Sequence, residues 1–141
     1  MLDPASTEAV SAVLRKVLPK GRLNRIPRHP EHRNIVLAIF CLGLHRRYPY
    51  TEIELNELLK EQLDHMCSTV DHVTCRRYLV DLGFVKRDRA GKRYFLNFPR
   101  VESTISSAAM ASAPDLVKDA LYAGRRRDTL NKSLEQTPQA P

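Results

Sequence analysis

Long apolar runs are missing from this chain of 141 residues. The longest, Ile35 to Leu44, covers ten residues including Gly43, where a membrane-crossing helix needs about 20. No transmembrane helix is expected, and no membrane partner. The opening residues, MLDPASTEAVSAVL, place no basic stretch ahead of an apolar one, so they do not read as a signal peptide. Cysteine is scarce and odd in number: Cys41, Cys67 and Cys75 form no CxxC pair. A secreted disulfide framework is therefore not expected, and a reducing cytoplasm fits better.

The signatures of catalysis are missing too. There is no Gly-rich phosphate loop, no HExxH and no GxSxG. Glu52, Glu54, Glu57 and Glu61 recur along what reads as the solvent side of one helix. Neither an enzyme nor a bound cofactor is expected. His65, Cys67, His72 and Cys75 lie within eleven residues, and all are zinc-ligating types. Their spacing, H-x-C-x4-H-x2-C, matches no established ligand pattern, so no metal site is expected. Cys41 and Cys75 read instead as small buried apolar residues.

What the chain has is positive charge, unevenly placed. The net charge is +7 and the sequence pI is near 9.6. Residues 18–98 hold 15 Lys and Arg against 9 Asp and Glu, while the two flanks hold 8 against 7. A basic centre favours an acidic partner such as nucleic acid, although the same excess also serves solubility.

Helix signals dominate. Val10, Val13, Leu14, Val17 and Leu18 form one face of a helix that Pro19 and Gly21 end. The basic arm KGRLNRIPRHPEHR follows, held extended by Pro27 and Pro30. Pro30 and Glu31 open a second helix, the most buried on its composition. Thr51 and Glu54 spell a capping box ahead of a third helix whose apolar set is Ile53, Leu55, Leu58, Leu59 and Leu63. A fourth helix is expected to be capped by Ser68, with Asp71 three residues on, and to stop at Gly83. Two short strand-like runs, Phe84 to Arg87 and Tyr94 to Phe98, then flank the turn Asp88-Arg89-Ala90-Gly91.

A helix followed directly by a basic hairpin is the sequence pattern of a winged helix-turn-helix. The expected fold is α+β and mostly helical: a winged-helix-like domain with one antiparallel β-hairpin and flanking helices. The expected organisation is an N-terminal amphipathic helix over 1–17, the winged-helix-like domain over 18–98, and a third segment over 99–141. That segment reads as a Ser/Ala-rich linker, a short helix from Pro114 to Ala123, and a disordered polar tail.

Three groups of residues are candidates for DNA contact. On the fourth helix, periodicity assigns Cys75, Tyr78, Leu79 and Leu82 to the core. Thr74 and Arg77 then fall on an adjoining stripe, and Arg76 lies opposite. Arg suits a bidentate contact with guanine, and Thr suits a base edge or a phosphate. The alternative is that Arg77 simply pairs with Asp81 one turn on. The hairpin carries Lys86, Arg87, Arg89, Lys92 and Arg93, offset only by Asp88. Such a wing suits phosphates, or it is a charged edge that resists aggregation. In the arm, Arg22, Arg25 and Arg28 are expected outward, with Leu23 and Ile26 inward.

The lead-in RIPRHPEHRNIVL, the helix YTEIELNELLKE and the segment DHVTCRRYLVDLGFVKRDRAGKRY resemble an uncharacterised bacterial domain family. That family is often appended to ArsR-like winged-helix regulators and sometimes lies beside acetyltransferase domains. The resemblance covers somewhat more than half of the chain, with RRYLVDLGF its most specific piece. It implies a small helical domain with a terminal hairpin and a regulatory role, without an activity or a cofactor. The link from Gln62 to Thr69 is longer than the family pattern, and Tyr94-Phe95 stand where a tryptophan-like position is usual.

The combined expectation is a cytoplasmic DNA-binding transcriptional regulator, or an accessory domain of one. Self-association is expected through the stripe Val10, Val13, Leu14 and Val17, helped by Leu116, Val117, Ala120 and Leu121. The alternative is a protein-interaction module of the same fold, acting on an acidic partner or a partner regulator.

Overall fold

Local signals set most element boundaries. The protein is described here by a computed structural model covering residues 3–135. Ser6 caps α1 (Thr7–Val17) by accepting the Ala9 N–H. Pro30 stands at the first position of α2 (Pro30–Cys41), where its missing N–H costs nothing. Seven consecutive residues of α2, Ile35 to Cys41, are buried, so this helix is the axis of the core.

Thr51 opens α3 (Glu52–His65) with a complete capping box. Its hydroxyl accepts the Glu54 N–H, and the Glu54 carboxylate accepts the Thr51 N–H. The next cap differs from the sequence expectation. α4 (His72–Asp81) is capped by Asp71, whose carboxylate accepts the Thr74 N–H at 2.8 Å. Ser68 instead donates to the Leu23 carbonyl at 2.8 Å and accepts the Val70 N–H. Both residue types are good caps, and a long-range bond to Leu23 claims Ser68 for the turn. Gly83, with φ +80, ends the helix in the left-handed region.

The hairpin pairs β1 (Val85–Arg87) with β2 (Tyr94–Leu96) in antiparallel register, Lys86 opposite Phe95. Tyr94 also bridges Tyr50 on the other edge of β2, through reciprocal N–H to carbonyl bonds of 2.9 and 2.8 Å. The order α2, Tyr50 bridge, α3, α4, hairpin is an α+β, winged-helix-like arrangement. Within it, Ile53 lies outside the core at 76% exposure. Leu55, Leu59 and Leu63 alone give α3 its buried stripe.

The C-terminal segment corrects the sequence expectation most. Residues 99–113 are not a linker: α5 (Phe98–Thr104) and the start of α6 (Ser107–Glu135) occupy them. The polar stretch from Asp128 is helical as far as Glu135, and the rest of the expected tail lies outside the described residues. Pro114 sits inside α6 rather than at its start. It removes one rung of the hydrogen-bond ladder, while Ala109, Ala113, Val117, Ala120 and Leu121 remain buried on either side of it.

α6 covers α1. Val10, Val13 and Leu14 are buried within their own chain, and α1 and α6 form the most extensive helix pair. The stripe expected to drive self-association is therefore already occupied. A parallel bridge between Ala5 and Ile105 ties the N-terminal segment to α5 and α6. Thus α1 and α6 share one core with the winged-helix elements.

Candidate nucleic-acid interface

α4 is held from both sides, and this sorts its polar residues. Arg76 reaches across to α3. It hydrogen-bonds the Asn56 side-chain oxygen and pairs with Glu52 at 3.2 Å, with only 18% of its side chain exposed. The Thr74 hydroxyl donates to the Asp71 carboxylate at 3.0 Å. Two of the three expected reader residues are thus engaged inside the protein. Arg77 is exposed. Among the described residues the ion pairs are Lys60–Glu57, Arg76–Glu52 and Lys132–Asp128, so Arg77 does not pair with Asp81.

The buried side of α4 is rotated toward Arg76 relative to the periodicity reading. Cys75 and Leu79 are fully buried, but Tyr78 is 36% exposed and stands outside the core sector. α3 packs against α4 and holds Arg76 on this flank through Asn56 and Glu52. Burial pushes the Cys75 thiol up to about 12, and Cys41 is raised by the same cause. Neither is a ready nucleophile or ligand at neutral pH.

The exposed side of α4 runs into the wing. Glu52, Val73, Arg77, Val80, Asp81 and Arg87 line one groove of about 230 Å³, together with Arg76 and Tyr94. The Arg87 guanidinium lies 5.3 Å from the Tyr94 ring centroid and donates to the Gly91 carbonyl. Lys86, Arg89, Lys92 and Arg93 are exposed around it. The lone acid of the wing is used locally. The Asp88 carboxylate accepts the Lys92 N–H at 2.8 Å, and that bond is the main cause of its lowered pKa. Asp88 braces the turn, and Gly91 supplies its positive φ of +69.

The arm lies at the other end of α4. Leu23 donates to the Met66 carbonyl and accepts from Thr69, which clamps the arm to the α3–α4 turn. Leu23 and Ile26 are buried, and Arg22, Arg25 and Arg28 point outward. These arginines share a basin of about 590 Å³ with Lys16, His29 and His32, which no local sequence pattern singled out. The His29 and His32 rings stack at 4.3 Å. The His32 pKa is lowered, first by desolvation and then by the positive field of His29 and Lys16. Arg125 of α6 is also brought against Gly21, next to Arg22. The triplet Arg125-Arg126-Arg127 was visible in the sequence; its position beside the arm was not.

Among the described residues, no three His, Cys, Asp or Glu side chains come together as a metal site, and no helix is long and apolar enough to cross a membrane. A family model described as "Uncharacterized protein conserved in bacteria (DUF2087)" matches residues 22–96. That range holds the arm, α2 to α4 and the hairpin. No curated protein and no solved structure matches the chain.

Proposed function

The chain belongs to the DUF2087 family of uncharacterized proteins conserved in bacteria, and from that premise we propose that it is a non-catalytic, DNA-binding domain of a transcriptional regulator, acting in the cytoplasm. One observation carries the reading: Arg77 of α4 and Arg87 of the wing line the same groove, with the wing cations exposed beside them. A helix of this kind enters the major groove while its wing meets the flanking phosphates. Arg77 is the base reader in this reading. Arg76 positions α4, and Thr74 stiffens its first turn. Arg22, Arg25 and Arg28 extend the phosphate contacts past the other end of α4, joined by Lys16 and the α6 arginines. The resemblance to domains appended to ArsR-like regulators supports a regulatory setting, in which a partner regulator or a second copy supplies a second half-site.

Fluorescence anisotropy with a random duplex at several salt concentrations tests this. Each phosphate neutralised by a Lys or Arg releases counterions and contributes about −0.9 to the slope of log K against log salt. A slope of several units supports the reading, and absence of binding at low salt removes it.

A second reading has its own observation. Ile53, Val73 and Tyr78 expose apolar surface on α3 and α4, and Val73 lies in the groove itself. Together with Asp81 and Glu52, they suit a protein partner that carries both apolar and basic residues. Binding to a regulator with no salt-dependent DNA affinity would favour this module.

A further inference from the structure

A third concavity lies apart from the groove and the basin of the basic face. It has a volume of about 350 Å³ and opens where the C-terminal ends of α2 and α3 meet the N-terminal half of α6. Its wall is apolar: Ile39, Leu42, Met66, Ala113, Pro114 and Val117. Its polar lining consists of Gln62, His65 and Lys118. None of these three side chains makes a hydrogen bond or ion pair among the described residues. No Asp or Glu lines the cavity.

We propose that this cavity binds a small monocarboxylic acid with an apolar body, the carboxylate held by Lys118 with Gln62 and His65. The class follows from chemistry and size. An apolar wall with a few polar groups at one side is the usual form of a small-molecule site, and the volume falls in the usual range. At ordinary packing density it takes up to roughly eighteen non-hydrogen atoms, room enough for a small acid. Lys118 is the only Lys or Arg in the lining and no acid opposes it there, so an anion is favoured over a cation or a neutral ligand. The Gln62 amide and the His65 imidazole each offer an N–H in any ionisation state. Gly43 leaves room for the Gln62 side chain, since a Cβ there would lie 2.6 Å from its Nε2. Ala113 keeps the wall open, because a larger side chain on α6 would fill the space.

The position gives the site a consequence. Met66 ends α3, and its carbonyl accepts the Leu23 N–H at 3.2 Å. A ligand against Met66 and His65 therefore touches the turn that sets α4 and the arm. Coupling to DNA rests on the function proposed above; the site itself does not.

Titration of the full chain with benzoate and hexanoate, and with benzyl alcohol and 1-hexanol as neutral counterparts, tests the site. Isothermal calorimetry reads affinity and amide NMR reads location. The acids are expected to bind with sub-millimolar Kd, about tenfold or more tighter than the alcohols, which is about 1.4 kcal/mol. Shifts should centre on Ile39, Met66 and Val117. Lys118→Glu lies on an exposed position and should fold normally while losing about tenfold or more in acid affinity. Ala113→Leu should abolish binding by filling the cavity. Four results overturn the proposal: no binding by either acid, shifts that map elsewhere, equal affinity for acid and alcohol, or undiminished acid binding in Lys118→Glu. Because the readout is direct ligand binding, failure here leaves the DNA reading standing, and failure to bind DNA leaves this site standing.

Discussion

Gly21 and Gly124 meet backbone to backbone where the end of α1 crosses α6, and neither position has room for a Cβ. One built on Gly124 would overlap the Leu18 carbonyl oxygen and the Gly21 amide nitrogen. One on Gly21 would lie 2.7 Å from the Leu121 carbonyl oxygen, at a φ of +75. This contact fixes the depth to which α6 seats on α1, and it carries the arginines of α6 to the arm.

Gly124→Ala is accordingly expected to destabilise the domain by about 1–3 kcal/mol through overpacking. Gly83→Ala makes a useful contrast. Its site is open, so only the positive φ opposes the substitution, at about 1 kcal/mol. Urea denaturation of both variants measures the difference. A Gly124→Ala midpoint equal to wild type would mean that α6 is not seated as described.

The α1–α6 pair should matter to stability rather than to assembly. Leu14 of α1 is fully buried, and Leu14→Ala is expected to cost about 2–5 kcal/mol. Thermal melts over a tenfold range of protein concentration separate the two roles. A destabilisation that vanishes at high concentration would point back to an intermolecular stripe.

The arginines of α4 should separate in their effects. Arg76→Ala removes the bond to Asn56 and the pair with Glu52, and should lower stability by about 1 kcal/mol. Arg77→Ala should leave the melting temperature near wild type and cost about 1–3 kcal/mol on a cognate duplex. Asp81→Asn should leave stability unchanged, because Arg77 does not pair with it. If Arg77→Ala weakens selected and random duplexes equally, Arg77 touches a phosphate.

The wing should add affinity without sequence information. Arg89→Ala with Lys92→Ala is expected to weaken binding to all duplexes alike and to flatten the salt slope by about one to two units. Both side chains are exposed, so circular dichroism should be unchanged. An unaltered slope would remove the wing from the interface.

Two caps give the fold an acid limb. The Glu54 pKa is lowered by the Tyr48 hydroxyl, which donates to it at 2.6 Å, and by the Thr51 N–H. The Asp71 pKa is lowered by the Thr74 N–H and hydroxyl. Their folded values lie below the ordinary 4.5 and 3.8. Their contribution is thus complete above those values and is lost as pH falls through the lower folded ones. Asp71→Asn keeps the cap without the titration. It should give a shallower decline of melting temperature below about pH 4, and an acid limb identical to wild type would count against the cap.

Short-range features are legible without any tertiary contact. Thr51 and Glu54 sit three residues apart, and their capping box needs nothing else. Pro30 begins α2, Gly83 ends α4, and Asp88 to Gly91 turn the hairpin, because each constraint acts within a few residues. The basic arm and wing were legible for the same reason: charge density is a local property. Partner choice was decided only by tertiary contact. The α1 stripe read as needing a partner, but periodicity does not say that the partner is α6 of the same chain. The pattern reads as a short helix from Pro114 to Ala123, yet Pro114 and the following Gly124 both lie inside a long one. Packing of Ala109, Ala113 and Val117 outweighs one missing rung, and close approach to Gly21 explains the glycine. Asp71 displaced Ser68 as a cap because Leu23, 45 residues away, claims the serine. Arg76 passed from solvent to the α3 interface because Asn56 and Glu52 await it there, and α4 turned with it, leaving Tyr78 outside. Contacts between residues far apart in the chain rest on geometry that no local pattern encodes.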